Sequence, residues 1–141
     1  ERWLTEVLGR LDRRFQRLEL AGGGWDGYEP PARFDVVRHG HVPAVGLPAV
    51  FAGWGLAVAP FWEGAHDGRL SLRTPLAHGV PTLTRPPAGD ELTLRPPHLL
   101  FDPADVADLD DAERAAGAAA VAAFEADVTA RLLEALSADR R

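Results

Sequence analysis

The 141-residue sequence contains no cysteine and no methionine, and lysine, asparagine and isoleucine are absent as well. Without cysteine the chain forms no disulfide, offers no thiolate nucleophile and lacks the sulfur ligands of zinc and iron–sulfur sites. Without lysine it lacks the amine of Schiff-base chemistry and the phosphate-binding lysine of a P-loop. Its serines, Ser71 and Ser137, lie outside any G-x-S-x-G pattern, so we expect no serine hydrolase.

Composition and charge indicate the class of protein. The chain is 46% hydrophobic and 26% charged, and its length suits one ordinary domain, so we expect a single domain over residues 1–141. The net charge of −6 argues against a nucleic-acid partner. No apolar run approaches the ~20 residues that cross a bilayer and no signal segment opens the chain, so we expect a cytoplasmic protein without a membrane partner. Arginine in place of lysine is typical of a high-GC bacterial genome, so we expect a bacterial origin.

The first predicted element is an amphipathic helix over residues 3–18. Its apolar residues recur at helical spacing and so form one stripe, which consists of Leu4, Leu8, Leu11, Phe15 and Leu18. The glycines at 22–24 favour the end of a helix, because glycine adopts the left-handed backbone of a C-cap. The heptad spacing predicts that this helix packs against the C-terminal helix. The alternative is a homodimer that forms through the N-terminal helix.

The middle of the chain predicts short strands that are separated by proline and glycine. Residues 33–38 alternate as a strand, and residues 56–61 with 69–74 predict a hairpin. Residues 83–87 and 92–97 repeat a pattern in which leucines face one side and polar side chains face the other. Several of these segments end at proline, which cannot donate to a strand ladder. We therefore expect an antiparallel sheet of about five short strands.

The C-terminal segment predicts a long helix over residues 102–139. Asp102 occupies an N-cap position, and Asp110 with Glu113 forms a second helix start of the same kind. The elements together predict an α+β domain, in which an N-terminal amphipathic helix and a long C-terminal helix flank the antiparallel sheet.

Histidines and acids form the first candidate site. His39 and His41 follow a predicted strand with one glycine between them, and His66 lies in the predicted hairpin turn. Three imidazole ligands leave an open position on a catalytic divalent metal, with Glu63 or Asp67 as the general base. The pattern therefore offers a metal-dependent hydrolase as one alternative function.

A second candidate site comes from a family resemblance. Residues 36–40 (VVRHG) resemble the strand and R-H-G motif of the histidine phosphatase (phosphoglycerate mutase-like) superfamily. Residues 76–79 (LAHG) resemble the later strand-His-Gly segment of that family. The resemblance implies His39 as the phospho-acceptor, Arg38 as a phosphate ligand and His78 in the same pocket. It thus implies a phosphate-handling protein as a further alternative.

A third candidate site is aromatic. Trp25, Asp26 and Tyr28 follow the glycine run, and paired aromatic rings beside a carboxylate suit a peptide, a sugar or a cationic group. With Arg38 they form the predicted ligand-binding set. Because no catalytic motif is complete, we expect first of all a non-catalytic interaction module without a cofactor. Such a small bacterial accessory protein would bind another protein or a second copy through its N-terminal helix.

Overall fold

The computed structural model describes residues 2–61, 63–90, 92–107 and 110–138. Its elements, in chain order, are α1 (Arg2–Arg10), β1 (Arg17–Ala21), β2 (Asp35–Gly40), α2 (Leu47–Phe51), β3 (Ala57–Ala59), α3 (Leu70–Ala77), β4 (Thr82–Thr84), β5 (Leu99–Leu100) and α4 (Asp111–Ala138). Short 3₁₀ turns at Ala44–Gly46 and Pro103–Ala107 precede α2 and α4. Within the described ranges, no helix has the length and apolar character that a membrane crossing requires.

The strands form two small sheets, and every pairing in them is parallel. β1 pairs with β2, and β4 lies between β3 and β5. The expected antiparallel five-stranded sheet is therefore wrong, although the class α+β stands. Parallel neighbours need a long crossover rather than a tight turn. The segments between the strands provide it, and α3 is the crossover between β3 and β4.

The predicted hairpin is wrong for the same reason. Residues 56–61 contain β3, but residues 69–74 belong to the start of α3. Leu70 and Leu72 suggest strand alternation in the sequence, yet Leu70 is 64% exposed and Leu72 is buried. The buried pair is instead Leu72 with Leu76, which lie four residues apart on one helix face. Short apolar runs fit both the helical period and the alternation of a strand, and here tertiary packing favours the helix.

The N-terminal helix is shorter than the predicted span of residues 3–18. The Asp12 carboxylate accepts a hydrogen bond from the Arg14 amide at 2.7 Å, which turns the chain just after α1. Arg33 donates to the carbonyls of Leu8 and Leu11 at 2.6 and 3.1 Å and so satisfies the end of the helix. Residues 17–21 then continue as β1, because Leu18 fits a strand as well as it fits a helical stripe.

The first core lies between α1 and one face of both sheets. Leu4, Val7, Leu8 and Leu11 of the N-terminal segment pack there on apolar side chains from all five strands, namely Leu18, Leu20, Val36, Val58, Leu83 and Leu100. The apolar stripe of α1 is therefore buried inside the protein. Among the helical elements, it packs mainly against the 3₁₀ turn before α4.

A second core lies on the opposite face of the three-stranded sheet, where α3 and α4 pack. Asp110 and Glu113 cap α4 through reciprocal side-chain to amide bonds of 2.8 and 3.0 Å, as the sequence predicts. His98 is fully buried and seated on Gly117 of α4, where a Cβ would lie 1.8 Å from its Nδ1 atom. The second half of α4 is exposed, and Leu132 is 60% exposed. Residue 139, the predicted helix end, lies outside the described residues.

Candidate functional site

A cleft of about 890 Å³ separates the two sheets. Consecutive residues border it on both sides, 17–22 around β1 and 53–61 around β3. Successive side chains of a strand point to opposite faces, so an unbroken run of lining residues indicates that the strand edges border the space. The remaining walls come from α1, from α2 with its preceding turn, and from one side of α3.

The cleft lies where the order of the strands reverses. β2 lies on the far side of β1, whereas β4 and β5 lie on the far side of β3. The starts of β1 and β3 are adjacent, because a Cβ on Gly55 would lie 3.6 Å from the Phe15 ring. In open parallel sheets, ligands bind at such a reversal in the crevice outside the carboxyl ends of the strands. Here Gly22 and Pro60, which follow β1 and β3, bring those ends to the cleft.

Glu19 is the acidic side chain in the cleft wall, and three donors hold it. Its Oε2 atom accepts hydrogen bonds from the Trp54 indole at 2.9 Å and from His39 Nε2 at 2.7 Å. Its Oε1 atom pairs with Arg17 at 2.8 Å. The Trp54 bond, then the His39 bond and the Arg17 charge, lower the pKa of Glu19 against the opposing effect of burial. The cluster ties β1 to β2 and reaches across the cleft to the start of β3.

At the carboxyl end of β1, the glycine run forms a turn at the mouth of the cleft. Gly22 and Gly24 have φ angles of +93° and +85°, which glycine adopts without strain. The Trp25 indole folds back and donates to the Ala21 carbonyl at 2.9 Å. The triple glycine therefore follows a strand, and the predicted helix end at this position is wrong.

The predicted ligand-binding residues lie around this turn, but most of them hold the turn itself. Arg38 donates to the carbonyls of Trp25 and Tyr28, both at 2.7 Å. Trp25 and Tyr28 form an edge-to-face pair with ring centroids 5.8 Å apart, and Tyr28 is buried. Asp26 is exposed and does not line the cleft. Of this set, Trp25 alone lines the cleft.

The predicted metal ligands are not brought together in the described residues. His39 is held by Glu19, His41 is exposed at the cleft, and His66 lies in the loop after β3. Among residues 2–61, 63–90, 92–107 and 110–138, no three histidine or acidic side chains form a group that could hold a metal ion.

The two predicted general bases have other partners. Asp67 accepts hydrogen bonds from the amides of Thr93 and Leu94 at 2.9 and 3.0 Å, and also from the Thr93 hydroxyl. Burial by itself would raise the pKa of Asp67, but these hydrogen bonds outweigh it and the pKa is lowered. Glu63 forms an ion pair with Arg69. Asp67 thus anchors the segment around residues 92–97, which alternates in burial as predicted but forms no strand.

The residues of the phosphatase resemblance are divided between two places. His78 lines the cleft and lies against Phe51, with ring centroids 5.4 Å apart. Arg38 and His39 are absent from the cleft walls and are engaged with the turn carbonyls and with Glu19. The structure therefore does not place the three in one pocket.

Some of the predicted residues border the cleft, but its polar cluster was not predicted. Arg17 and Glu19 carry this hydrogen-bonded cluster with Trp54, and Ser71 lines the cleft at the first turn of α3. The available signal was the alternation of Leu18 and Leu20 directly before a glycine run, which is typical of a strand that ends at a ligand crevice. The helical spacing of the same leucines concealed it.

Comparison of the chain with family models, with curated proteins and with solved structures finds no match. Functional interpretation therefore depends on the geometry of the cleft.

Proposed function

We propose that this protein is a small-molecule-binding domain whose ligand occupies the cleft between β1 and β3. The observation that carries the proposal is the position of the cleft, at the reversal of strand order between two parallel sheets. Crevices at this place of parallel sheets bind ligands because the loops after the strands converge there. The expectation of a binding module is thus kept as a proposal, with a small molecule as its partner.

The size and lining of the cleft support an organic ligand. Its volume of about 890 Å³ lies within the ~300–1,000 Å³ of typical ligand pockets. Aromatic rings of Trp25, Phe51 and Trp54 border it, and they suit a flat ring. The polar groups are few and are placed around this apolar lining, as in pockets that orient one ligand.

Charge and backbone geometry favour a phosphate-bearing ligand. α3 begins at the cleft wall, and no side chain caps its first amides. A helix N-terminus with free amides attracts an anion. Arg17 in the same wall is already paired with Glu19, so the imidazoles of His41 and His78 are the further side-chain donors that border the cleft. The ligand class that we propose is a mononucleotide.

The packing of α1 supports a binding site in the cleft over a homodimer through this helix. The apolar stripe of that helix packs on both sheets, so little of it is left for another protein. We therefore place recognition at the cleft rather than in a homodimer through the N-terminal helix.

The test is a titration of the purified chain with uridine and adenosine monophosphates, followed by tryptophan fluorescence and thermal unfolding. Trp25 and Trp54 line the cleft, so a bound base should change their emission. At a ligand concentration of about 100 Kd, binding adds ~2.7 kcal/mol and raises Tm by about 5–10 °C.

Two histidine variants provide the matched control. His41→Ala removes a side chain from the cleft wall and should weaken mononucleotide binding, whereas His66→Ala changes a loop away from the cleft and should not. Uridine, adenosine and inorganic phosphate separate recognition of the base from recognition of the anion. Binding that is equal in both variants, or a Tm that no mononucleotide raises, would contradict the proposal.

A further inference from the structure

We propose that the cleft is the open form of a two-state element. In its closed form, β1 and β3 pair directly, and the two sheets become one five-stranded parallel sheet in the order β2-β1-β3-β4-β5. This inference concerns the protein without any ligand, and it goes beyond the proposed function.

The backbone of β1 presents an unpaired edge to the cleft. The Gln16 carbonyl and the Gly22 amide bond to β2 or to its flanking residues, so alternate residues of this segment point toward β2. Arg17, Glu19 and Ala21 point the other way, since successive residues of a strand alternate. The bond from the Trp25 indole to the Ala21 carbonyl confirms that direction.

The backbone of β3 presents the facing edge. The Ala57 amide donates to the Pro81 carbonyl at 2.8 Å, so this residue points toward β4. Leu56 and Val58 therefore point their amides and carbonyls toward β1. Two edges with unused donors and acceptors thus border one apolar space, and buried backbone groups strongly favour pairing.

The side chains restrict the register of the closed form. Leu18 and Leu20 pack on the α1 side, and so do Leu56 and Val58. Residues that lie opposite each other in a sheet point to the same face, which excludes a slip by one residue, and the register that we propose aligns Leu18 with Leu56 and Leu20 with Val58. The adjacency of Phe15 and Gly55 agrees with strands that run side by side in the same direction.

This register defines the new ladder. In a parallel pair, the Leu56 amide donates to the Arg17 carbonyl and the Glu19 amide to the Leu56 carbonyl. The Val58 amide then donates to the Glu19 carbonyl, and the Ala21 amide to the Val58 carbonyl.

The next position cannot continue the ladder, because Pro60 has no amide hydrogen. The Ala21 carbonyl, which would accept the missing bond from Pro60, already accepts a hydrogen bond from the Trp25 indole. The last carbonyl of the proposed ladder therefore has a partner before the strands pair.

Amide hydrogen exchange of the ligand-free protein tests this inference. The amides of Glu19, Ala21, Leu56 and Val58 should exchange at least about 100-fold more slowly than in an unstructured chain. A scalar coupling across the hydrogen bond from the Val58 amide to the Glu19 carbonyl should fix the register. The Ala57 amide, which is paired in the open form, is the internal control.

Unprotected exchange of all four amides beside a protected Ala57 amide would overturn the inference. Since no ligand is added, failure of mononucleotide binding leaves this result unchanged.

A cysteine pair gives a second measurement, which the absence of native cysteine makes clean. Ala21 aligns with Ala59 in the closed register, and a Cα separation of about 4.4–6.8 Å permits a disulfide. Ala21→Cys with Ala59→Cys should crosslink under mild oxidation. Ala21→Cys with Val58→Cys places the sulfurs on opposite faces and should not crosslink. Equal crosslinking of the two pairs would contradict the register.

Discussion

Two junctions in the protein differ in how closely they are packed. One lies between α3, α4 and β5, and the other lies between β1 and β3. At the first, Leu72, Leu76 and Val121 exclude all solvent, and His98 fits against the bare backbone at Gly117. At the second, a space of about 890 Å³ remains between two strand edges. The first junction is filled by side chains of the chain itself, while the second keeps a space between two strand edges.

This difference indicates where stability and function reside. A dry, closely packed interface stabilises the fold but leaves no room for a ligand. An open space with unpaired edges contributes less stability, and it can be occupied by a ligand or closed by pairing.

Adding one methyl group should separate the junctions most clearly. Gly117→Ala places a Cβ 1.8 Å from His98 Nδ1, so α4 must shift, and we expect a loss of about 2–3 kcal/mol in the free energy of unfolding. Gly55→Ala, at the cleft, meets the Phe15 ring at an ordinary 3.6 Å and should change stability by less than about 1 kcal/mol. Urea unfolding measures both values. Equal losses would mean that the cleft is as tightly packed as the α3–α4 junction.

Replacement of two loop aspartates should have different effects on the free energy of unfolding. Asp67→Ala removes the acceptor for two amides and a hydroxyl beside the second core, and we expect a loss of about 2 kcal/mol. Asp26→Ala, in the exposed turn at the cleft mouth, should stay within about 0.5 kcal/mol of the parent. Thermal unfolding at pH 7 compares them, and a large loss for Asp26→Ala would assign that turn a structural role.

The hydrogen bond from Trp54 to Glu19 across the cleft should contribute less to stability than the contacts above. Trp54→Phe removes the indole donor to Glu19, and we expect a loss of about 1 kcal/mol. Because the Trp54 bond is the largest cause of the lowered Glu19 pKa, that pKa should rise in the variant. A carboxyl carbon NMR titration of Glu19 checks the shift. An unchanged titration would show that Trp54 does not bridge the sheets in solution.

The stability that the junction of α3, α4 and β5 provides should also depend on pH, through His98. Burial, and secondarily the charge of Arg114, lower the pKa of His98, whereas its bond to the Leu76 carbonyl acts in the opposite direction. The unfolded chain therefore binds more protons near pH 6, and stability falls as pH falls through 6.5. For one proton the slope is at most about 1.4 kcal/mol per pH unit.

Urea unfolding between pH 7.5 and 5.5, roughly spanning the ordinary histidine pKa, measures this dependence. An NMR titration of the His98 ring identifies its share among the five histidines. A His98 ring that titrates at or above 6.5 in the folded protein would refute the sign.

The sequence predicts well the elements that local chemistry defines. The reciprocal cap of Asp110 and Glu113 is local, and so is the strand at residues 35–40, which overlaps the predicted 33–38 but lies two residues later. The sequence alone does not decide between helical and strand periodicity where contacts with distant residues make that choice. Leu70 and Leu72 alternate as a strand would, but the partner that decides their structure, α4, lies some forty residues away.

The candidate site was harder to predict, because its residues are ordinary ones placed by topology. Trp25 could be identified from its neighbouring glycines, whereas Glu19 carries no motif and gains its setting from His39, Arg17 and Trp54. Strand direction determines which loops meet, and no local pattern encodes it. The antiparallel expectation therefore concealed the reversal of strand order and the cleft with it.

The seat of His98 on Gly117 has a consequence for how this sequence can vary. The ring fills the volume that any side chain at position 117 would need. In a related chain, a larger residue at one of the two sites is tolerable when the other becomes smaller, so the pair should mutate together over generations. A double-mutant cycle with His98→Ala and Gly117→Ala should show the matching epistasis in the laboratory.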